Sequence, residues 1–360
     1  MITIPDLPLE NFEVPAEGVG STLGIKNEYE GSHDFGVIGS GQCGGRLAKS
    51  FYDIGYKKTI ALNTALADLN PLELPAVHKV RIGSLEGSGK DMDKGGAAAE
   101  ESAQLIFDKM KAVFGTVDKI IICVGFGGGT GAGSCPVLIG LARKYLAFTE
   151  NPDPVKNVII VAALPTAGEL KSEVTRNNNE KVKATMFALA NQAECGPLLL
   201  IDNSKIEKLY RGIPPARFWP SINDTITQLF QMFNYLSKQE SGYTSFDKED
   251  YRTVITTPGI AVLGVTKVEL KEGTELGQAL QGSLKKTLLS DYVSFETAKE
   301  AACIIVAGES VMQTVSMETI TYGFDAVSNL IEKANVHRGL YDTSGDTIRA
   351  YTLITGMNAT

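Results

Sequence analysis

From residue 34 onward the chain switches repeatedly between two hydrophobic periods. Short apolar runs at 35–38, 59–63, 79–82, 119–124, 158–164 and 198–202 are rich in Ile, Val and Leu and too brief for helices. Helical periodicity covers 46–54, 96–114, 135–148 and 178–192. Strands apolar on both faces and alternating with helices predict a mostly parallel sheet covered by helices. A longer pattern over about 220–237 puts Ile222, Ile226, Leu229, Phe230, Phe233 and Leu236 on one face. Beyond Gly242 the alternation restarts on a smaller scale, with strands at 260–268, 302–306 and 347–355 and helices near 276–289 and 317–333. The expectation is an α/β protein with a Rossmann-like parallel-sheet domain over 34–213, a long central helix within 214–240, a smaller α/β C-terminal domain over 241–356, and a short tail at 357–360.

Residues 1–33 carry Pro5, Pro8 and Pro15, are acidic and show little periodicity. They read as an extended arm that stays mobile or docks on a neighbour.

Composition narrows the class. At 360 residues the chain can hold two domains, and its net charge of −8 offers no basic stripe for direct nucleic-acid binding. Five scattered cysteines (Cys43, Cys123, Cys135, Cys195, Cys303) fit a reducing compartment, and three distant histidines (His33, His78, His337) exclude a zinc site of the usual spacing. No apolar run reaches membrane-spanning length and the N-terminus has no signal-peptide pattern, so the expectation is a cytoplasmic protein with no direct membrane contact.

The chemistry starts at residues 125–134, Gly-Phe-Gly-Gly-Gly-Thr-Gly-Ala-Gly-Ser, directly after the run 119–124. A turn so stripped of Cβ atoms lets the backbone wrap a polyanion, with successive N–H groups and the following helix N-terminus facing phosphate oxygens. A Walker loop would end in Lys-Ser/Thr, and this one has no lysine. Phosphate charge then falls to backbone dipoles and a bound cation. A flexible linker would not sit between an Ile/Val strand and a helix.

Gly39-Ser-Gly41-Gln-Cys-Gly44 satisfies the dinucleotide fingerprint G-x-G-x-x-G. An NAD site would also need an acid at the end of the second strand, where Asn63-Thr64-Ala65 stands.

Together these residues resemble the tubulin/FtsZ superfamily. Gly127-Gly128-Gly129-Thr130-Gly131-Ala132-Gly133 matches its signature loop, Gly41-Gln42-Cys43-Gly44 is similar to the tubulin form of the first phosphate loop, and 61–64, containing Asn63, is similar to the FtsZ second loop, with Ala65 replacing the usual Asp. Residues 83–89 lie where the family senses the γ-phosphate. Glu169 and Arg176 resemble the acid and arginine that contact ribose and guanine, and Asn203 resembles a strand-end residue that faces the base. Trp219-Pro-Ser-Ile-Asn223 is similar to the start of the family's central helix. Asn223 would read the guanine edge, and Trp219 would either stack on the base or pack in the core.

Ser245-Phe-Asp247-Lys-Glu-Asp250-Tyr-Arg-Thr-Val254 resembles the FtsZ loop whose two acids complete the site of the next subunit, with Ser245 departing from the pattern; the bland reading is a solvated turn. The last strand is similar too, around 345–356. The resemblance thus covers about 34–356. It implies GTP and GDP as ligands, Mg²⁺ between the β- and γ-phosphates without a dedicated protein metal site, and Asp247 and Asp250 as catalytic acids. It also implies head-to-tail self-assembly that switches hydrolysis on. Division-type members carry a linker and C-terminal peptide that this sequence does not show. The mixture of tubulin-like and FtsZ-like loops suits plasmid or phage relatives that segregate or position DNA, here through a DNA-binding adaptor. An FtsZ-like division filament and a non-polymerising nucleotide-binding scaffold are the alternatives.

Overall fold

Ten strands and eleven α-helices are present in the computed structural model among the described residues, 22–360 apart from Leu85, Arg211, 269–276, 278–279, 281–285, 287, 291–292, Glu332, Gly345 and Thr360. The chain divides into two compact units.

The first unit, His33–Thr227 with residues 22–29, contains strands β1 (Phe35–Ser40), β2 (Thr59–Asn63), β3 (Lys79–Arg81), β4 (Lys119–Gly125), β5 (Val158–Leu164) and β6 (Pro197–Asp202). They are parallel in the order β3-β2-β1-β4-β5-β6. β1, β2, β5 and β6 are buried along their whole length and β4 through Val124, which accounts for their unbroken apolar runs. The chain first builds outward from β1 to β3 and then returns on the other side through β4. Strand order therefore reverses between β1 and β4, and the carboxyl ends of those two strands open a crevice.

Helices α1 (Gly41–Asp53), α2 (Leu66–Leu69), α3 (Met92–Glu101), α4 (Ala103–Val113), α5 (Thr130–Phe148), α6 (Glu173–Asn191) and α7 (Asn203–Leu209) follow the strands. Several start earlier than periodicity predicts. α1 begins at Gly41, not near 46, because Gly41 takes φ +72° and turns the strand directly into the helix. α5 likewise begins at Thr130, so half of the glycine loop is its first turn. The expected helix 96–114 is two helices broken at Ser102 (φ −97°, ψ 11°) and started by Asp91, whose carboxylate accepts from the Asp93 and Lys94 amides. Gly133 makes the α3–α5 packing possible: a Cβ there would run into the Met92 carbonyl.

Of the N-terminal arm, residues 22–29 lie on the first unit. Tyr29 stacks on Tyr56 with centroids 3.9 Å apart, and the Glu28 amide donates to the Gly55 carbonyl at 2.8 Å.

Helix α8 (Pro215–Leu236) is longer than expected at its start. The second unit, Gln228–Thr360 with Glu30–Ser32, holds α9 (Lys248–Thr256), β7 (Gly259–Val268), β8 (Glu300–Gly308), α10 (Glu309–Met312), α11 (Met317–Leu330), β9 (Asn335–Thr343) and β10 (Ile348–Met357). Its strands run in the order β7-β10-β8-β9, with β10 antiparallel to both neighbours and β8 parallel to β9. The helix expected over 276–289 falls mostly outside the described residues. β9 and α9 have no counterpart in the expected elements.

Candidate functional site

The crevice at the β1/β4 reversal holds a cavity of about 460 Å³, within the range of small-ligand sites. Its wall contains Gly41, Gln42 and Cys43 from the start of α1, Asn63 from the end of β2, and Gly127, Gly128, Gly129, Thr130 and Gly131 from the loop into α5. Glu169, Asn203, Trp219 and Asn223 also line it. Residues from six chain segments thus meet in one place.

Backbone explains why the loops lack side chains. A Cβ on Gly41 would sit 2.9 Å from the Gly131 amide, and one on Gly129 would strike the Ser88 side chain and approach the Asp91 amide to 2.7 Å. Gly128 has open space before it, so its backbone faces the cavity directly. Helices α1 and α5 begin here with 13 and 19 residues, and their unpaired N–H groups and positive dipole ends favour an anion.

A hydroxyl cluster ties the loops together. Thr130 Oγ1 lies 2.8 Å from Thr64 Oγ1 and 3.2 Å from Ser88 Oγ, and all three residues are buried. The loops after β2, β3 and β4 therefore share one hydrogen-bonded junction.

Asp68 answers the substitution at Ala65. Ala65 precedes α2 and offers its first turn no side-chain cap. The Asp68 carboxylate, one turn further on, lines the cavity and accepts from Gln42 Nε2 at 3.0 Å and Asn63 Nδ2 at 3.2 Å. The acid is present, displaced by three positions. That spacing is legible as one helical turn only once a helix is known to start after residue 65.

Positive charge comes from outside the glycine loop. Lys90 and Arg46 both line the cavity. Lys90 takes φ +63°, a left-handed conformation that bulky residues avoid, and its Nζ donates to Thr175 Oγ1 at 3.1 Å. Asn178 Nδ2 holds its carbonyl at 2.7 Å. A lysine thus stands in the cavity wall on the loop after β3, where a Walker-type search does not look.

Four expected contact residues do not line the cavity. Gly44 is buried where a Cβ would strike the Cys123 carbonyl, Ala132 is buried in the first turn of α5, and half-buried Gly133 lies where a Cβ would strike the Met92 carbonyl, so these three serve close packing. Arg176 is exposed, with Nη1 donating to the Leu170 carbonyl at 3.4 Å. Glu169 instead caps its own turn, accepting from the Thr166 amide at 2.8 Å. Trp219 is half-buried, edge-on to Phe218 with centroids 5.1 Å apart.

Cys43 opens onto the cavity, yet the protein packed around that opening disfavours a thiolate. Burial, with a smaller push from Glu169 against the pull of Arg46, raises the thiol to about 11. It is a neutral wall at physiological pH, not a nucleophile.

Asp247 and Asp250 occupy the second unit and form a capping box at the start of α9. Asp247 Oδ1 accepts from the Glu249 and Asp250 amides at 2.8 and 2.9 Å, and Asp250 Oδ2 accepts from the Asp247 amide at 3.2 Å. They are ordered by helix geometry and not held in a loose turn. The segment before them is anchored as well: the buried Tyr341 hydroxyl accepts from the Phe246 amide at 2.9 Å and donates to the Leu236 carbonyl at 2.9 Å.

Among the described residues no group of three or more His, Cys, Asp or Glu could hold a metal ion, and no helix is long and apolar enough to cross a membrane.

Comparison with known proteins agrees with this geometry. Residues 35–211 match the family model described as Tubulin/FtsZ family, GTPase domain. A tubulin-like protein CetZ of Pyrococcus abyssi is 26% identical over 335 residues, covering 89% of this chain and 85% of the relative. Cell division protein FtsZ 1 of Pyrococcus horikoshii is 26% identical over 331 residues, covering 90% and 81%. Among solved structures, a GTPγS-form protofilament of Bacillus thuringiensis serovar israelensis TubZ superposes with a TM-score of 0.78 at 17% identity, covering 92% of this chain and 88% of that one. At that identity the likeness concerns the fold alone, and it bears out the α/β class expected from the sequence.

Proposed function

Over residues 35–211 this chain is a member of the tubulin/FtsZ family, and from that premise we infer that it binds and hydrolyses GTP and assembles head-to-tail into filaments. The observation that carries the reading is the cavity at the β1/β4 reversal, where glycine backbone, two helix N-termini, Lys90 and Arg46 converge. That set of groups is suited to a triphosphate, and a cavity of about 460 Å³ accommodates a nucleotide.

Asn203, Trp219 and Asn223 form the base-reading group, and Glu169 the ribose contact. A Mg²⁺ ion fits the donor set: with no three-ligand cluster among the described residues it would be held by phosphate oxygens and water, with Asp68 as the carboxylate in the cavity wall. When bound, it offsets charge between the β- and γ-phosphates. Asp68 and Glu169 stand in the cavity wall, each accepting from neighbouring N–H groups. The acids that activate water are the pair the family resemblance assigns, Asp247 and Asp250 of the adjacent subunit. Contacts of this kind propagate instead of closing, so turnover rises with assembly. The protofilament seen for TubZ supports self-association in this fold.

The cellular role proposed is positioning or segregating plasmid or phage DNA in the cytoplasm through a DNA-binding adaptor. It follows from the tubulin-like Gly41–Gly44 loop combined with Asp247 and Asp250, and from a net charge of −8 that disfavours direct nucleic-acid or anionic-membrane contact. Tagged filaments that track a replicon support it; division arrest on depletion supports the FtsZ-like alternative.

The biochemical test is GTP hydrolysis per subunit across protein concentrations with magnesium present. A threshold followed by a plateau is expected. A flat rate removes Asp247 and Asp250 from the mechanism, and no hydrolysis leaves a nucleotide-binding scaffold.

A further inference from the structure

His337 lies on β9 with both ring nitrogens engaged by acids. Its Nδ1 is 2.7 Å from Asp250 Oδ1, and its Nε2 is 3.0 Å from Glu300 Oε2. The three side chains are 19%, 31% and 16% exposed for His337, Asp250 and Glu300, so the bridge is largely shielded without being sealed from water. A neutral imidazole has one N–H and donates from one nitrogen only. With both acids ionised, the two short contacts are hydrogen bonds together only when the ring carries both protons.

The far side of each acid is also fixed. Asp250 Oδ2 takes the Asp247 amide in the capping box, and Glu300 Oε1 takes Asn335 Nδ2 at 3.1 Å. β8 and β9 pair in parallel with Glu300 opposite Asn335 and Ala302 opposite His337, so the sheet register places this bridge. The arginines on the elements concerned have their own acidic partners. On α9, Arg252 Nε reaches Glu249 at 2.6 Å, and the N-cap Asp247 holds helix amides. On β9, Arg338 pairs with Asp325 of α11 at 3.3 Å. The Tyr341 phenol stays protonated, raised by burial and further by Asp250 and Asp247.

We propose that His337 is a positioning residue for Asp250: its second proton clamps the carboxylate between α9 and β9 in the orientation that hydrolysis requires. The inference rests on the reading that Asp250 completes the site of the adjacent subunit. Loss of that proton turns one lone pair of the ring toward a carboxylate. One of the two bonds is then replaced by repulsion, and Asp250 is free to leave its rotamer. A displaced catalytic group costs rate steeply, because proton transfer depends on sub-ångström placement.

The test uses the full chain and measures GTP turnover per sedimented subunit, with assembly followed in parallel so that polymer mass does not confound rate. His337→Gln cannot bridge both acids as the doubly protonated ring does, and its kcat per assembled subunit is expected to fall at least ~5-fold with KM for GTP unchanged. Glu300→Gln offers an amide donor to Nε2, so a ring with one proton keeps both bonds, and kcat is expected to stay within about twofold of wild type. Two results overturn the proposal: His337→Gln turning over at the wild-type rate per assembled subunit, or Glu300→Gln losing as much rate as His337→Gln. Should His337→Gln fail to assemble, Glu300→Ala, which removes one anchor of the ring, decides in its place, with kcat expected to fall and KM to hold. Failure of the underlying reading looks different, since Asp250→Ala would then turn over GTP at the full rate whatever His337 does.

Discussion

Thr64 and Thr130 meet hydroxyl to hydroxyl at 2.8 Å, across 66 residues of sequence, and with Ser88 at 3.2 Å from Thr130 they lock three loops around one cavity. Thr130→Val keeps the shape and removes the shared hydroxyl. The two buried partners lose a hydrogen bond, at a cost of about 1–3 kcal/mol in unfolding free energy. GTP affinity is expected to fall by about tenfold through lost preorganisation of the loops. Denaturant unfolding and nucleotide titration measure the two effects separately.

Lys90 combines a strained backbone with a charge facing the cavity. Lys90→Gly relieves the left-handed conformation and is expected to raise stability by up to about 1 kcal/mol. The same change removes a charge-assisted contact to phosphate, lowering GTP affinity by about 10- to 100-fold. Lys90→Ala keeps the strain and loses the charge, so it should match the affinity loss without the stability gain. Equal GTP affinity in all three proteins would remove Lys90 from the phosphate site.

Asp68 accepts two amide donors, from Gln42 and Asn63. Asp68→Asn would turn an N–H₂ toward one of those donors and remove the cavity-wall carboxylate proposed to lie near a bound cation. The magnesium concentration for half-maximal turnover is expected to rise by about 5- to 10-fold, since Mg²⁺ in phosphate sites leans on one or two carboxylates. An unchanged magnesium requirement would show that phosphates and water suffice.

His78 is buried, and its Nδ1 lies 2.7 Å from the Thr59 carbonyl. Burial lowers its pKa from 6.5, outweighing the upward pull of that hydrogen bond. The unfolded chain therefore binds more protons than the native state as pH falls below the ordinary histidine value. The His78 contribution is fully present above that value and is lost as pH falls toward the lower folded value. His78→Gln should flatten the decline of melting temperature between about pH 7 and 5. A decline as steep as wild type would assign the acid sensitivity to other groups.

Periodicity was a good guide where burial is complete. β4 and β5 are enclosed on both faces, so an apolar run can mean only a parallel-sheet strand. It failed at β9, whose first four residues are exposed or half-exposed and whose strand lies at the end of the order β7-β10-β8-β9. An edge strand need not be apolar, and so His337 stood in an unassigned segment. Helix starts were misjudged for a related reason. Glycine and threonine carry little hydrophobic signal, yet Gly41 and Thr130 open helices because strand ends feed directly into them.

Residue order alone settles the class of this molecule, the alternation of strand and helix, and the glycine loops that an anion would need, because these depend on local propensity and near-neighbour burial. Which groups share the cavity is settled by long-range closure. Lys90 from the loop after β3 and Asp68 from α2 reach the cavity around the strand-order reversal between β1 and β4, and Asp68 meets Gln42 of α1 there. In the second unit the parallel register of β8 and β9 sets His337 beside Glu300, and Asp250 of α9 meets its other ring nitrogen. Gln42 and Asp68, or His337 and Asp250, are farther apart than a short sequence window reaches, so only tertiary closure pairs them.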